Sequence, residues 1–329
     1  MIAKQVTALI FALTALSSAR ANAAAATEVL TPGTPIEVSA QAARFDLMTV
    51  DASQRRLLAA HSHAHTLTVV DLGKDSLIGE IPVGKSSGVA VDTIDNKYFV
   101  GTEQGVAVVD RRTLKKVDLI KTPGPADAMI FDPANDRLYV GHDDGKALWI
   151  IDAHSNKRVG HIAIPGAPEL MALDANAHHL YLNIKPRNEV LEIDTTTHKT
   201  LHHWSTLPAN SPHGLALDEE TQRLFVGGRS EKVAVLSAAT GVVERSITIG
   251  RGNHIDQMAY DPQYHRLYCP DHGRLIVIDT QATSKPVLGT LAIPKGTHSA
   301  TLDPVTHEVW IAYVRHGHSY VQSFKPAMP

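Results

Sequence analysis

Histidine is the residue type that first suggests chemistry in this chain. The sequence holds 19 histidines, and three of them alternate in the segment "HSHAH" at residues 61–65. In an extended strand every second side chain points to the same face. A strand would therefore place three imidazoles together, which is enough to bind Zn²⁺, Ni²⁺ or Cu²⁺. A turn that begins within the segment would instead send them in different directions.

A second set of ionisable residues appears at one fixed spacing. Each member stands five residues before an aspartate that ends a short apolar run, and the set comprises Asp46, Asp127, Glu169, His213, Asp256 and His298, with Ser87 at the seventh such position. We call these seven positions the axial ring. Mixed carboxylate and imidazole donors suit a divalent metal such as Zn, Cu, Ni, Mn or Ca. The same ring could bind a cationic or polar ligand, or be a solvated rim.

The spacing of these aspartates identifies the elements that must position the ring. Seven segments share the pattern apolar-x-apolar-Asp, six variable residues and a short β-patterned run, as in "MIFDPANDRLYVG" and "LALDEETQRLFVG". The leading aspartates are Asp51, Asp92, Asp132, Asp174, Asp218, Asp261 and Asp303. They lie 40 to 44 residues apart, with four β-patterned runs in each repeat. This period predicts an all-β, seven-bladed β-propeller of four-stranded blades.

The last repeat lacks one strand, and the N-terminal segment has one to spare. "TPIEVSA" at residues 34–40 reads as an isolated strand. We expect it to pair with the last blade and close the ring, which would remove two exposed sheet edges. Residues 24–329 would then form a single domain.

The repeats resemble a known family of propellers. The "RLYVG" strands, entries such as "SPHGLALD" and the repeat period are similar to the YVTN-type family, in particular its YncE-like branch of exported seven-bladed proteins, over residues 34–326. The resemblance implies a binding or interaction protein. A DNA-binding role is suggested for some members, and related propellers include lactonases and lyases with a metal on the central axis.

The repeat alignment also places loops beside the axial ring. The turns between the second and third strands should lie on the same face as the ring, here called the top face. Those turns hold an outer histidine cluster of His61, His63, His65, His272, His316 and His318, and the candidate anion-binding residues Arg187, Arg229 and Arg315 with Lys185. The cluster could bind metal or be a set of flexible loop histidines. The arginines could clamp a carboxylate or phosphate.

The N-terminal sequence, the cysteine count and the net charge limit the classes of function that the protein could have. Lys4, an apolar run from Val6 to Leu16 and the small-x-small triplet Ala21-Asn22-Ala23 predict a signal peptide over residues 1–23 and a periplasmic protein with no inserted segment. Cys269 is the single cysteine, so an internal disulfide is excluded. The net charge of −3 does not favour broad binding to nucleic acid.

Three functions remain open from the sequence. The first is a binding or scaffold protein, expected to be monomeric, that presents its polar top face to a small molecule or a protein. The second is a metal-dependent hydrolase or lyase, lactonase-like, with the metal on the axis polarising a carbonyl or activating water. DNA binding is the third, and the acidic ring argues against it.

Overall fold

A computed structural model describes residues 29–142, 145–250 and 255–327. The predicted signal segment, residues 1–23, lies outside this described part. Within it, no helix has the length and apolar character needed to cross a membrane.

The chain forms seven antiparallel sheets arranged as the blades of a propeller, as the repeat predicts. Two N-terminal strands come first, β1 (Leu30–Pro32) and β2 (Ile36–Ser39). Blade one consists of β3 (Met48–Asp51), β4 (Arg56–His61), β5 (Thr66–Asp71) and β6 (Ser76–Pro82). Blade two consists of β7 (Ser86–Asp92), β8 (Lys97–Thr102), β9 (Gly105–Asp110) and β10 (Lys115–Ile120). Blade three consists of β11 (Met129–Asp132), β12 (Arg137–Val140), β13 (Ala147–Asp152) and β14 (Lys157–Ala163).

The next three blades repeat this order. Blade four consists of β15 (Pro168–Asp174), β16 (His179–Ile184), β17 (Glu189–Asp194) and β18 (Lys199–Ser205). Blade five consists of β19 (Pro212–Asp218), β20 (Arg223–Gly228), β21 (Lys232–Ser237) and β22 (Val243–Thr248). Blade six consists of β23 (Ala259–Asp261), β24 (Arg266–Asp271), β25 (Arg274–Asp279) and β26 (Val287–Ala292). The described residues also contain two short 3₁₀ helices, Ser62–Ala64 and Lys185–Arg187.

The seventh blade is completed by the N-terminus, which confirms the predicted closure. Blade seven consists of β27 (Ala300–Leu302), β28 (Val309–Arg315) and β29 (His318–Pro326), with β1 and β2 on its outer edge. Leu30 pairs with Pro326, and Ile36 pairs with Val321. The N-terminal chain therefore supplies two short strands to this edge, where the sequence predicted one.

The core lies between the blades. The buried apolar residues form seven clusters, and each cluster joins one blade to its neighbour. The position seven residues after each leading aspartate contributes a fully buried side chain to these wedges, and the set is Leu58, Phe99, Tyr139, Tyr181, Phe225, Tyr268 and Trp310. Large flat side chains fill the wedge between twisted sheets well, so these residues have a structural role.

The leading aspartates terminate the innermost strands on the face opposite the ring, here called the bottom face. Asp92 is typical, since its Oδ1 accepts the backbone N–H groups of Ile94 at 2.8 Å and Asp95 at 2.9 Å. The residue four positions after each leading aspartate has a positive φ, between 50° and 61°. These turns fix the direction of the innermost strand, and thus place the residue five positions earlier at the top of the channel.

Candidate functional site

Five of the six ionisable axial-ring residues line one cavity at the mouth of the central channel. This mouth cavity has a volume of about 260 Å³, and its charged or imidazole lining comprises Asp46, Asp127, Glu169, His213 and Asp256, together with Lys185 and Arg229 from the top turns. Ser87 is not among the lining residues. Its backbone carbonyl accepts the N–H of Leu47 at 3.1 Å. The convergence predicted from the repeat spacing is thus present for most of the ring.

Hydrogen bonds within and between blades, and one close approach of two entry loops, hold the ring positions. The N–H of Asp127 donates to the carbonyl of Gly141 at 3.0 Å. Asn183 donates its amide to the carbonyls of His213 at 2.9 Å and Gly214 at 3.1 Å. Gly88, which follows the ring position of blade two, is required for close approach, because a Cβ there would lie 2.3 Å from the carbonyl oxygen of Asp127. The mouth is therefore built on a rigid backbone.

His213 is the most buried member of the ring, with 5% of its surface exposed. Its Nδ1 lies 2.7 Å from the carbonyl oxygen of Ser211, so Nδ1–H donates to that carbonyl. In the neutral ring the lone pair is then on Nε2, which lies 3.6 Å from Oε1 of Glu169. Burial is the largest effect on this imidazole, and it lowers the pKa of His213 below the ordinary value. The ring is neutral at pH 7 and can accept a proton, a hydrogen bond or a metal ion.

Carboxylates outnumber cations at the mouth. Lys185 forms an ion pair with Glu169. Among the residues that the structure describes, the remaining charged lining residues are three aspartates and Arg229. With His213 neutral, the four carboxylates exceed the two cations by two charges. These described residues therefore give the cavity lining a net negative charge.

His298 lies beside the mouth rather than in it. Its Nδ1 is 3.1 Å from Oδ2 of Asp256, and it lines a second, larger cavity of about 580 Å³ between blades six, seven and one. We call this the side cavity. It shares Asp46 with the mouth cavity, and its other charged and imidazole lining residues are Arg44, His272 and Lys295. Phe45, Ala312 and Tyr313 give it an apolar wall.

Arg44 and Lys295 were missed from the sequence. Both side chains are exposed, and within the described ranges neither forms an ion pair. They stand at no repeated position, so the alignment gave no signal for them. Lys295 lies one residue before the turn glycine Gly296 in "KGTHS", the loop that leads to the ring position His298. Its place in this loop is the one local signal that could have indicated it.

The structure separates the three histidines of "HSHAH". His61 is fully buried and stacks on Phe45 with ring centroids 4.0 Å apart. Its Nε2 lies 3.1 Å from the carbonyl oxygen of Ala43, and its Nδ1 lies 3.3 Å from Oε2 of Glu80. A 3₁₀ turn then begins at Ser62, and His63 and His65 are exposed. His61 does not belong to a solvent-facing cluster, contrary to the expectation for it.

The other outer histidines are spread along the rim. His272 lines the side cavity, and His316 is exposed at the turn after β28. His318 is half-buried, with its Nδ1 at 2.8 Å from Oε1 of Glu37. Among the described residues, one group of three potential metal ligands has its ligand atoms all within 4.8 Å of one another, and it consists of Asp95, Asp136 and His154. That set includes no member of the outer cluster or of the axial ring.

The predicted anion-binding arginines do not act together. Arg229 lines the mouth cavity. Arg187 is exposed and lies 3.6 Å from Glu189, and Arg315 is exposed at the end of β28.

Cys269 is fully buried in β24, and burial raises the pKa of its thiol, which is inconsistent with a nucleophile.

Comparisons with known proteins give the fold but no family. No family model and no curated protein matches the chain. A chain of the hydrazine synthase of Kuenenia stuttgartiensis has a similar structure, with a TM-score of 0.74 and 16% sequence identity, over 83% of this chain and 94% of that chain. At this identity the likeness concerns the fold alone. The chain is thus a seven-bladed β-propeller that resembles the hydrazine synthase chain in structure.

Proposed function

We propose that this protein is a binding protein whose ligand is a small polar molecule with a positively charged group, held in the mouth cavity. The observation that carries the proposal is the convergence of four carboxylates, one neutral imidazole and two cations from five blades on one cavity. Partly buried carboxylates in excess are costly unless a positive charge compensates them. A cationic ligand would supply that charge.

The side cavity extends this proposal to the other end of the ligand. Arg44 and Lys295 line it, and Asp46 belongs to both cavities. A molecule with an amino group in the mouth and a carboxylate beside Arg44 and Lys295 would match both charges. The apolar wall of Phe45 and Tyr313 would contact the carbon skeleton between them. Small amines and amino acids are therefore the ligand class that we favour.

Calorimetric titration tests this proposal. The probes are putrescine, choline and L-lysine, with glutarate as an anion that lacks an amine. We expect at least one amine to bind and glutarate alone to bind more weakly. Asp127→Asn should weaken binding by about tenfold or more, because it removes a charge worth roughly 1–3 kcal/mol to a charged partner. Asp75→Asn removes the same charge from an exposed turn on the bottom face and should bind as the wild type does. Binding by none of the amines, or equal binding by Asp127→Asn, would refute the proposal.

A metal-dependent hydrolase or lyase is the second candidate, and His213 is the observation that favours it. A carbonyl that accepts Nδ1–H orients the opposite nitrogen toward the cavity, which is a common arrangement for metal-ligating histidines. Glu169 and Asp256 would be its partner ligands, and the ion would polarise the carbonyl of a lactone or activate water. Titration of metal-free protein with Zn²⁺ and Mn²⁺ distinguishes the two candidates, because His213→Gln should abolish metal binding at the mouth but only weaken amine binding there.

Location and family are part of the same proposal. The N-terminal sequence supports export to the periplasm, where a small-molecule binding protein meets its ligand before uptake. The resemblance of the repeats to the YncE-like branch supports a binding or scaffold role. DNA binding has no such support, since the mouth is negatively charged.

A further inference from the structure

The leading aspartates join neighbouring blades on the bottom face. In five blades the aspartate accepts a hydrogen bond or ion pair from a side chain of the next blade. The pairs are Asp51 with Arg111 and Tyr98, Asp174 with Gln222, Asp218 with Tyr260, Asp261 with His307, and Asp303 with Arg55. Asp132 bonds to Asn135, which reaches Thr195 of the next blade. Six of the seven carboxylates thus have a side-chain partner.

Asp92 is the exception. It is fully buried, and its Oδ2 has no hydrogen-bond partner within the described residues. Its Oδ1 binds its own turn, so Oδ2 is the oxygen that in Asp174, Asp218 and Asp261 faces the next blade. The position of the next blade that supplies Gln222 and His307 elsewhere is here occupied by Asp136. A carboxylate thus replaces the donor.

Asp136 is also unsatisfied. Its Oδ1 is buried and has no hydrogen-bond partner in the described chain. Ligand atoms of Asp95, Asp136 and His154 all lie within 4.8 Å of one another at this blade interface. Nδ1 of His154 is 2.9 Å from Oδ2 of Asp95. Two carboxylates and an imidazole therefore lie together, and the carboxylate of Asp92 is joined to this group through its Oδ1, which accepts the N–H of Asp95 at 2.9 Å.

The charge at this interface is not balanced. Lys97 is the cation in contact with this group, with its Nζ 3.4 Å from Oδ2 of Asp95, whereas the neighbouring Arg137 is paired with Asp152 at 2.8 Å. That ammonium also donates to the carbonyls of Ala153 at 2.6 Å and His154 at 3.0 Å. One lysine faces three aspartates, so two negative charges remain, equal to the charge of one divalent cation.

We propose that a divalent cation binds on the bottom face between blades two and three, ligated by Asp95, Asp136 and His154, with Asp92 adding charge behind them. Carboxylate oxygens with a single imidazole suit Ca²⁺, Mn²⁺ or Zn²⁺. The ion takes the place of the donor that joins the other blades, so it closes the one gap in the ring of contacts. This site is separate from the mouth cavity, which lies on the opposite face.

Thermal unfolding of chelator-stripped protein tests this, with Ca²⁺, Mn²⁺ and Zn²⁺ added one at a time. We expect at least one of them to raise the Tm of the wild type, because an ion that binds the folded state stabilises it. Asp136→Asn should lose this shift. It should also melt higher than the wild type without metal, because the amide can donate to Asp92 as Gln222 does to Asp174. His154→Ala changes an exposed side chain and should weaken the metal by about tenfold or more.

Asp75→Asn, altered at an exposed turn that belongs to neither the mouth cavity nor this site, is the matched control and should keep the full metal-induced shift. The proposal is overturned if no cation shifts the Tm of the wild type, or if Asp136→Asn keeps an undiminished shift. A wild type without any shift, combined with a stabilised Asp136→Asn variant, would mean that a proton and not a metal fills the gap.

Discussion

At the residue scale, many of the histidines occupy turn positions that require a positive φ. Seven histidines have a positive φ, namely His65, His178, His198, His265, His272, His307 and His316. Histidine, like asparagine and aspartate, occurs in this left-handed region more often than other side chains do. In the same turn positions of other blades stand Asn96, Asp136 and Gln222. The abundance of histidine therefore reflects backbone geometry at these positions and is weak evidence for metal binding.

His61 shows what a repeat pattern cannot predict. Alternation in "HSHAH" suggested three imidazoles on one face, but a turn begins at the second residue, Ser62, and the first residue, His61, enters the core. The alignment located the axial ring because every blade contributes one residue at the same offset. Burial of His61 depends instead on Phe45 and Glu80, which come from an irregular loop and an outer strand. Such contacts occur once and leave no periodic signal.

Substitution of His61 should lower the stability of the protein, whereas substitution of His63 should have little effect on it. His61→Ala removes a stacked, fully buried ring and its hydrogen bond to Ala43, so we expect the free energy of unfolding to fall by about 2–3 kcal/mol. His63→Ala changes an exposed side chain and should alter it by less than about 0.5 kcal/mol. Urea denaturation followed by circular dichroism measures both. Equal effects would show that His61 does not pack as described.

At the element scale, the strands were predictable and the details of closure were not. Apolar alternation and turn residues located the four strands of each blade, because each blade must bury both faces against its neighbours. The segment 34–40 was predicted as the closing strand, and β2 covers Ile36–Ser39. β1 was not predicted, because Leu30–Pro32 contains one buried side chain in three residues. A strand that short has no pattern to detect.

Removal of the closing strands should destabilise the whole ring. A chain that begins at residue 41 would expose the outer edge of β29 and the side chains that β1 and β2 cover. We expect its Tm to fall by more than about 5 °C relative to a chain that begins at residue 29, which retains both strands. Differential scanning calorimetry of the two chains makes the comparison. The same Tm for both would mean that the N-terminal strands do not close the ring.

At the scale of the whole molecule, the seven blades are joined by apolar wedges and by the bottom ring of carboxylates. Burial raises the pKa of Asp51, but hydrogen bonds from Arg111, Tyr98 and its own turn outweigh burial and lower that pKa to about 2. Burial also raises the pKa of Asp218 and of Asp303, but hydrogen bonds outweigh it and lower both pKa values. For Asp218 they come from Thr221 of its own turn and Tyr260 of the next blade, and for Asp303 they come from Arg55 of blade one and Thr306 of its own turn. These contacts depend on charged carboxylates, so the assembly is sensitive to acid.

Stability should therefore fall as the pH is lowered from about 4 to about 2. Above the ordinary pKa of an aspartate, near 4, the lowered pKa of Asp51 contributes its full stabilisation, about 2 kcal/mol. This contribution is lost as the pH falls through the folded-state pKa. Urea denaturation across this range should show a smaller loss for Asp51→Asn than for the wild type. An identical pH dependence in the two proteins would rule out this role for Asp51.

The pairing of Leu30 with Pro326 also sets an order of events during biosynthesis. These residues are roughly 300 positions apart, so the first strand to leave the ribosome has no partner until the last strand is complete. Blades one to six can form from local hairpins, whereas the seventh needs both ends of the chain at once. Contacts of such high sequence separation form late in folding. A nascent chain therefore stays an open arc with one uncovered edge, and becomes a closed ring when synthesis is finished.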